Sequence, residues 1–525
     1  MDLASSLLLQ SSATPMDSFL WASLILAMGL LVWDTIEVGR NDAANLLNAV
    51  LGARVLQRRM AIVFISGGVV MGTLFASPVI ETARKGIFDP AGMTLQMALA
   101  IYVSVYIVDT VLLYGYSAFG MPVSTTATLV FELLGASLFV GGFDTVNWGK
   151  SGTVVLGIVC SIILSGIAAF MIQRAVRGAL RDRATHLPTL LAHGGWVGGG
   201  MVAGLIYFML IKGMKGLAFV KTINQEVISA YTPMLVILVM WAFFAIVIHA
   251  LLVIYRKRAA KLLFPVLTVI ASVCMAFAFG QNDLANCASP GLAARHIIEN
   301  RDLGVAAASE IPISRWWLLG CGALLVVGMS TRNAQRVTSS SMRIGSMGDH
   351  VELWAPRWCL ALARGLLRFR GREPALAPVA VAADHGRITH FDTIRASVIM
   401  CVSASVIATA SSLSLPVSTT YVSFAAIVAT GFADRIFQRG DAALKLGRAI
   451  WVVFSWFMAA AIAVVGAGLV AMAIHRLAIV GMIICMLVNA AIRRVIKRRA
   501  DRHEKFVRQE AQERMHPEDF ATEDA

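Results

Sequence analysis

Apolar residues along this chain fall into long blocks instead of alternating with polar ones. Runs of roughly 17 to 25 mostly apolar residues, enough to cross about 30 Å of hydrocarbon, recur along nearly its whole length. They lie near 18–36, 60–76, 93–115, 120–141, 153–172, 193–211, 232–254, 263–281, 316–330, 393–413, 416–434, 449–472 and 474–492. The pattern predicts an all-α polytopic membrane protein with about 12 transmembrane helices. Of the 525 residues, 58% are hydrophobic and only 14% charged, a balance far from that of soluble globular domains.

The polar positions between the blocks set orientation. Basic residues cluster at Arg54, Arg58 and Arg59, at Arg174, Arg177, Arg181 and Arg183, and at Arg256, Lys257, Arg258 and Lys261. They recur after 330, at Arg435, Arg439, Lys445 and Arg448, and in the tail RRVIKRRADRHEK. Every second connection is strongly basic, so the positive-inside rule puts the N-terminus outside and the C-terminus in the cytoplasm of a cell inner or plasma membrane. A re-entrant hairpin at 120–141 would change that parity. Loop charges of this kind account for the net +14, and nucleic acid is not expected as a partner. Seven cysteines without CxxC or CxxxC spacing predict neither disulfides nor zinc. The N-terminal stretch carries Asp2 and Asp17 but no Lys or Arg, so the first helix is expected to stay in place.

One connection is unusually long. Within 331–390, RWCLALARGLLRFRGR reads as a basic amphipathic helix on the inner membrane surface, and EPALAPVAVAADHG as a flexible linker. The glycine-rich AHGGWVGGGMVAGL near 192–205 follows no strand and ends in no Lys-Ser/Thr, which argues against phosphate cradling and for close helix packing in lipid.

Two polar patches at membrane depth each occur twice. GRNDAAN at 39–45 and GQNDLAN at 280–286 share Gly-x-Asn-Asp-x-Ala-Asn, and each follows an apolar segment. GMPVSTTATLVFELLG at 120–135 and SLPVSTTYVSFAAIVA at 414–429 share Pro-Val-Ser-Thr-Thr, in the same order after their Asn-Asp motifs. The chain therefore reads as two homologous halves. Loop charge gives the halves opposite orientation, the arrangement of transporters with inverted-topology repeats, broken or re-entrant helices and a midplane substrate site. On this reading 1–190 is the first repeat, 191–255 connecting helices and 256–330 the start of the second repeat. Residues 331–390 are a cytoplasmic insertion, 391–492 complete the second repeat, and 493–525 form a basic then acidic tail.

The paired G-x-N-D-x-x-N motifs, each followed by P-V-S-T-T, resemble the PiT family of inorganic phosphate transporters over both halves. The resemblance implies a secondary active transporter, not an enzyme: a cation-coupled symporter of inorganic phosphate working by alternating access. It implies no cofactor and no metal beyond the co-transported ion, Na+ or H+. Lipid surrounds such a protein, and a homodimer is an allowed assembly. No GxSxG or HExxH constellation points to catalysis.

The side chains agree. Helix N-termini offer free N–H groups and a favourable dipole to an anion, so Ser124, Thr125 and Thr126 with Ser418, Thr419 and Thr420 are the candidate phosphate ligands. Proline is tolerated in a first helical turn, which suits Pro122 and Pro416. Asp42 and Asp283 cannot face an anion without a cation beside them. Asn41, Asn45, Asn282 and Asn286 add the neutral oxygens that hard cations prefer. The chain departs from the family pattern at Arg40, at Ala127 and Tyr421 where histidine is common, and at Phe131 and Ala425 where glycine is common. Residues 61–72 also lack a glutamate often found there. Asp109 and Glu132 are candidate coupling acids in its stead. Sulfate or another tetrahedral oxyanion remains an alternative cargo, and a non-transporting anion sensor or scaffold the alternative from another class.

Overall fold

In the computed structural model, which describes residues 15–76, 79–80, 87–88, 92–214, 217–228, 231–303, 314–348, 350–369 and 389–515, the apolar blocks become helices. Fourteen α-helices are present among the described residues. In order they are α1 (Pro15–Gly52), α2 (Arg58–Thr73), α3 (Leu95–Ala118), α4 (Thr125–Gly141), α5 (Trp148–Leu180), α6 (Leu187–Ile206) and α7 (Ala218–Ile223). There follow α8 (Pro233–Glu299), α9 (Arg315–Met329), α10 (Arg332–Ile344), α11 (Arg357–Phe369), α12 (Thr393–Ser412), α13 (Thr419–Ala433) and α14 (Ala442–Met515). Side-chain caps start many of them: Thr94, Asn147, Thr232, Thr331 and Asp392 each accept a hydrogen bond from a first-turn N–H.

Among the described residues, seven helices are long and apolar enough to cross a membrane, and α4, α9 and α13 are shorter apolar helices. Two of the long ones fold back on themselves. A Cβ on Gly198 would meet both Ile248 (3.0 Å) and Leu263 (3.4 Å), residues that a continuous helix would hold roughly 22 Å apart. The reversal is at Arg256, whose backbone is left-handed (φ 43°), so the predicted segments 232–254 and 263–281 are antiparallel arms of α8. Ala478 (φ 49°) does the same in α14, where a Cβ on Gly481 would lie 2.4 Å from the carbonyl of Ala473. Large apolar side chains such as Trp21, Ile25, Val63, Phe457 and Leu487 are exposed, as a lipid-facing surface requires.

Small residues let the inner helices touch backbone to backbone. A Cβ on Gly328 of α9 would lie 2.2 Å from the carbonyl of Ile36, and one on Gly39 of α1 would lie 2.0 Å from that of Leu325. Gly195 and Gly199 of α6 approach Ala245 in the same way, so the glycine-rich stretch serves helix packing.

In the insertion, α11 buries Cys359 and Ala363 and exposes Trp358, Leu362 and Leu366, an apolar outer face suited to a membrane surface. The linker at 373–386 lies outside the described residues, as does Asp2. Residues 332–344, read as part of the 331–390 insertion, form α10 and pack on α1 and α3. Lys445 and Arg448, counted above with a basic loop, lie within α14 and are buried. Lys445 Nζ donates to the carbonyl of Gly348 at 2.6 Å.

The close crossing of α1 and α9 is testable on one helix. Gly328→Ala must push two backbones apart, and overpacking of this kind costs about 1–3 kcal/mol. Gly320→Ala on the same helix meets open space. Thermal unfolding in detergent should fall for the first and hold or rise slightly for the second; equal behaviour would show that the crossing is not tight.

Candidate functional site

The two Pro-Val-Ser-Thr-Thr copies open α4 and α13. Ser124 and Ser418 are their N-caps, each accepting a hydrogen bond at 3.0 Å, from Ala127 N and Tyr421 N respectively. The two hydroxyls are thus engaged on their own helices. Pro122 and Pro416 sit two residues before the caps, not in the first turn as expected from sequence. The N–H groups of Thr125, Thr126, Thr419 and Thr420 fall in first turns, where no intrahelical acceptor exists.

The two Asn-Asp motifs lie inside helices that continue through them, α1 and the second arm of α8, so these polar stretches do not break their helices. Their amides instead hold the turns in front of α4 and α13. Asn41 Nδ2 donates to the Val123 carbonyl (2.6 Å) and Asn41 Oδ1 accepts from Val123 N (3.4 Å). Asn282 makes the same pair with Val417, at 2.6 and 3.2 Å. One clasp is built twice.

Other bonds cross between the halves. Asn45 Nδ2 donates to Asp42 Oδ1 (3.0 Å) and to Thr420 Oγ1 (2.9 Å). Asn286 Nδ2 contacts Asp283 Oδ1 and Thr126 Oγ1, both at 2.9 Å, and Thr125 Oγ1 at 3.2 Å. Thr126 Oγ1 donates to the Val417 carbonyl at 2.9 Å, and Thr420 Oγ1 lies 3.2 Å from that of Val123. Thr420 Oγ1 is also 2.7 Å from Asp42 Oδ1. Thr125 Oγ1 sits between the two carboxylates, 3.3 Å from Asp42 Oδ2 and 3.1 Å from Asp283 Oδ1. Twelve sequence-derived candidates therefore converge: none of Asn41, Asp42, Asn45, Ser124, Thr125, Thr126, Asn282, Asp283, Asn286, Ser418, Thr419 and Thr420 exposes more than 4% of its surface. The knot is buried from solvent.

The halves differ in one respect. Both oxygens of Asp42 have protein partners, whereas among the described residues Asp283 Oδ2 and Asn286 Oδ1 are buried without a well-formed hydrogen bond, and the Thr419 hydroxyl has only the Asp283 carboxylate beside it. Asp283 Oδ2, Asn286 Oδ1 and Thr419 Oγ1 together form a donor set of the kind hard cations take.

Asp109 and Glu132 do not join the knot. They face a third acid, Asp34 of α1, which the sequence reading passed over although it lies inside an apolar run just as Asp109 does. Asp34 and Asp109 are in hydrogen-bond contact, and both oxygens of the fully buried Glu132 lack a partner. Beside this group, buried Glu37 binds Arg40 and Arg493, each at 2.7 Å. Arg40, a departure from the family pattern, thus serves as a counter-ion. Arg493 also donates to the Thr110 carbonyl at 2.7 Å and stacks over Trp33 and Tyr114, tying the second arm of α14 to α1 and α3.

The chain is similar to known proteins. The model of the phosphate transporter family matches residues 38–349 and 385–471. A protein of Pyrococcus abyssi carrying a phosphate-permease name is 27% identical over 460 residues, covering 85% of this chain and 96% of its own length. One of Thermococcus kodakarensis is 27% identical over 459 residues, with coverage of 85% and 96%, and one of Haemophilus influenzae 23% over 440, with 80% and 89%. A solved structure titled "The sodium-dependent phosphate transporter" superposes with a TM-score of 0.63 at 20% identity, covering 86% of this chain and 98% of that one, and so shares the fold. On the family match over most of its length, and with apolar helices that span a bilayer, this chain is an integral membrane protein belonging to the phosphate transporter family.

Proposed function

We propose that the protein is a cation-coupled symporter of inorganic phosphate that works by alternating access between two inverted-topology repeats. The observation that carries this reading is the single buried knot in which both Ser-Thr-Thr helix starts meet both Asn-Asp motifs. First-turn N–H groups and threonine hydroxyls of α4 and α13 are the phosphate donors in this scheme. Release of Thr125, Thr126 and Thr420 from their present bonds to carboxylates and carbonyls frees those hydroxyls for the anion.

The cation then answers the electrostatics. An anion beside Asp42 and Asp283 is repelled until positive charge enters, and the same attraction makes cation and anion bind each other's complex more tightly. Asp283 Oδ2, Asn286 Oδ1 and Thr419 Oγ1 are the ligands we assign to Na+. The superposed transporter is sodium-dependent by its title, which favours Na+. H+ is the second reading, favoured by the Asp34–Asp109 contact, because two carboxyls so close hold a proton between them. Sulfate is the alternative cargo; unlike phosphate it cannot donate a hydrogen bond to a carboxylate at neutral pH. The basic loops put the N-terminus outside and the tail in the cytoplasm.

Uptake of labelled phosphate into proteoliposomes, driven separately by a Na+ and an H+ gradient, tests the scheme. Gradient-driven uptake is expected, with sulfate competing weakly; absence of uptake by intact protein would overturn transport, and preferential sulfate uptake would overturn phosphate as cargo. Loss of a charge-assisted hydrogen bond worth about 1.5–3 kcal/mol corresponds to roughly 10- to 100-fold. Asp42→Asn and Asp283→Asn should each lower uptake by that much. Under Na+ coupling Thr419→Val should raise the Na+ concentration for half-maximal uptake, with Asp109→Asn near normal. Under H+ coupling the two variants exchange roles.

A further inference from the structure

A second place in the molecule concentrates positive charge. On the face bearing the basic loops, α10, residues 352–354 and both arms of α14 surround a cavity of about 270 Å³. Arg332, Arg336, Arg343, Arg448 and Arg508 line it, against Glu352 and Glu504 in the lining and Asp501, which pairs with Arg336 at 2.8 Å. Those acids are already engaged: Glu352 by Arg343, and Glu504 by both Arg336 and Arg508.

Arg448 is the informative member. It is 5% exposed, and its guanidinium donates only to neutral acceptors: the carbonyls of Trp354 (3.3 Å), Phe119 (3.2 Å) and Gly120 (3.3 Å), and Ser340 Oγ (3.5 Å). Its Nε has no hydrogen-bond partner among the described residues, nor has that of Arg336. A buried cation without a counter-ion is costly, and its natural complement is an anion with several acceptor oxygens. Guanidinium forks match tetrahedral oxyanions in particular. The volume lies below the range of pockets for drug-sized ligands, which restricts the occupant to something compact.

We propose that this cavity is a second anion site, taking a compact group with one or two phosphoryl units, either free in solution or at the head of an anionic lipid. The site is separate from the buried knot but adjoins it. The Gly120 carbonyl that Arg448 holds lies four residues before the Ser124 cap, in a turn where Gly120 is left-handed (φ 64°). An occupant that draws Arg448 toward itself loosens the turn from which α4 starts. The proposal does not depend on which ion the protein carries across the membrane.

Calorimetry on the purified full chain tests it, with inorganic pyrophosphate as the soluble probe and nanodiscs with or without phosphatidic acid as the lipid probe. One pyrophosphate per chain should bind to wild type and equally to Thr125→Val, which perturbs the knot alone. Binding should weaken about tenfold or more in an Arg332→Gln/Arg508→Gln double variant, whose side chains are exposed and whose fold is checked by thermal unfolding. Arg448→Gln should abolish it; if that variant fails to fold, the double variant decides. Arginine-dependent binding of pyrophosphate supports a soluble ligand, and arginine-dependent binding of phosphatidic acid alone supports a lipid headgroup. Binding of neither, binding indifferent to the arginines, or binding lost in Thr125→Val overturns the proposal.

Discussion

Backbone polarity at membrane depth is the constraint from which the rest of the site follows. Two helices that begin in the buried interior of this membrane protein, α4 and α13, leave amides and carbonyls with no water to bond, and each unpaired group there costs several kcal/mol. The chain answers by lending side-chain amides from α1 and α8: Asn41 takes both backbone groups of Val123, and Asn282 both of Val417. With those groups satisfied, α4 and α13 can start where they do, with first-turn N–H groups turned inward. Asp42 and Asp283 are carried to the same place because they adjoin the clasping asparagines in sequence.

Part of this arrangement is legible in the sequence because polar residues inside apolar runs are conspicuous and because they recur. The Asn-Asp and Pro-Val-Ser-Thr-Thr motifs stand out for that reason, and the apolar blocks locate the helices, including both arms of α8 and α14. Helix continuity through Asn41–Asn45 and Asn282–Asn286 is less visible, since only the folded partners reveal that these side chains bond outward instead of competing with their own backbone. The capping duty of Ser124 and Ser418 is hidden likewise: a serine hydroxyl looks the same whether it faces a substrate or an N–H three residues on. Charge counting misleads at Lys445 and Arg448, which sit among loop cations in sequence yet are buried within a helix. Asp34 escapes notice because a lone carboxylate gains meaning only beside Asp109 and Glu132, which stand 75 and 98 residues further along a chain whose order says nothing of adjacency.

Charge in the interior is kept in separate compartments. Glu37 is balanced by Arg40 and Arg493, while Asp34, Asp109 and Glu132 have no basic partner among the described residues, a burial that favours neutral, protonated carboxyls or a bound cation. The arginine lock ties the last long helix to α1, the helix that carries Asp42. Any movement of α1 within the membrane therefore has to carry, or to break with, the second arm of α14.

The crossed threonines bear on how such a chain can change over generations. Thr125 touches the aspartates of both halves, Asn45 leans on Thr420, and Asn286 leans on Thr126. A replacement in one copy of a motif alters the surroundings of the other copy's carboxylate at once. The two copies of each motif are held at the centre as a single unit of selection.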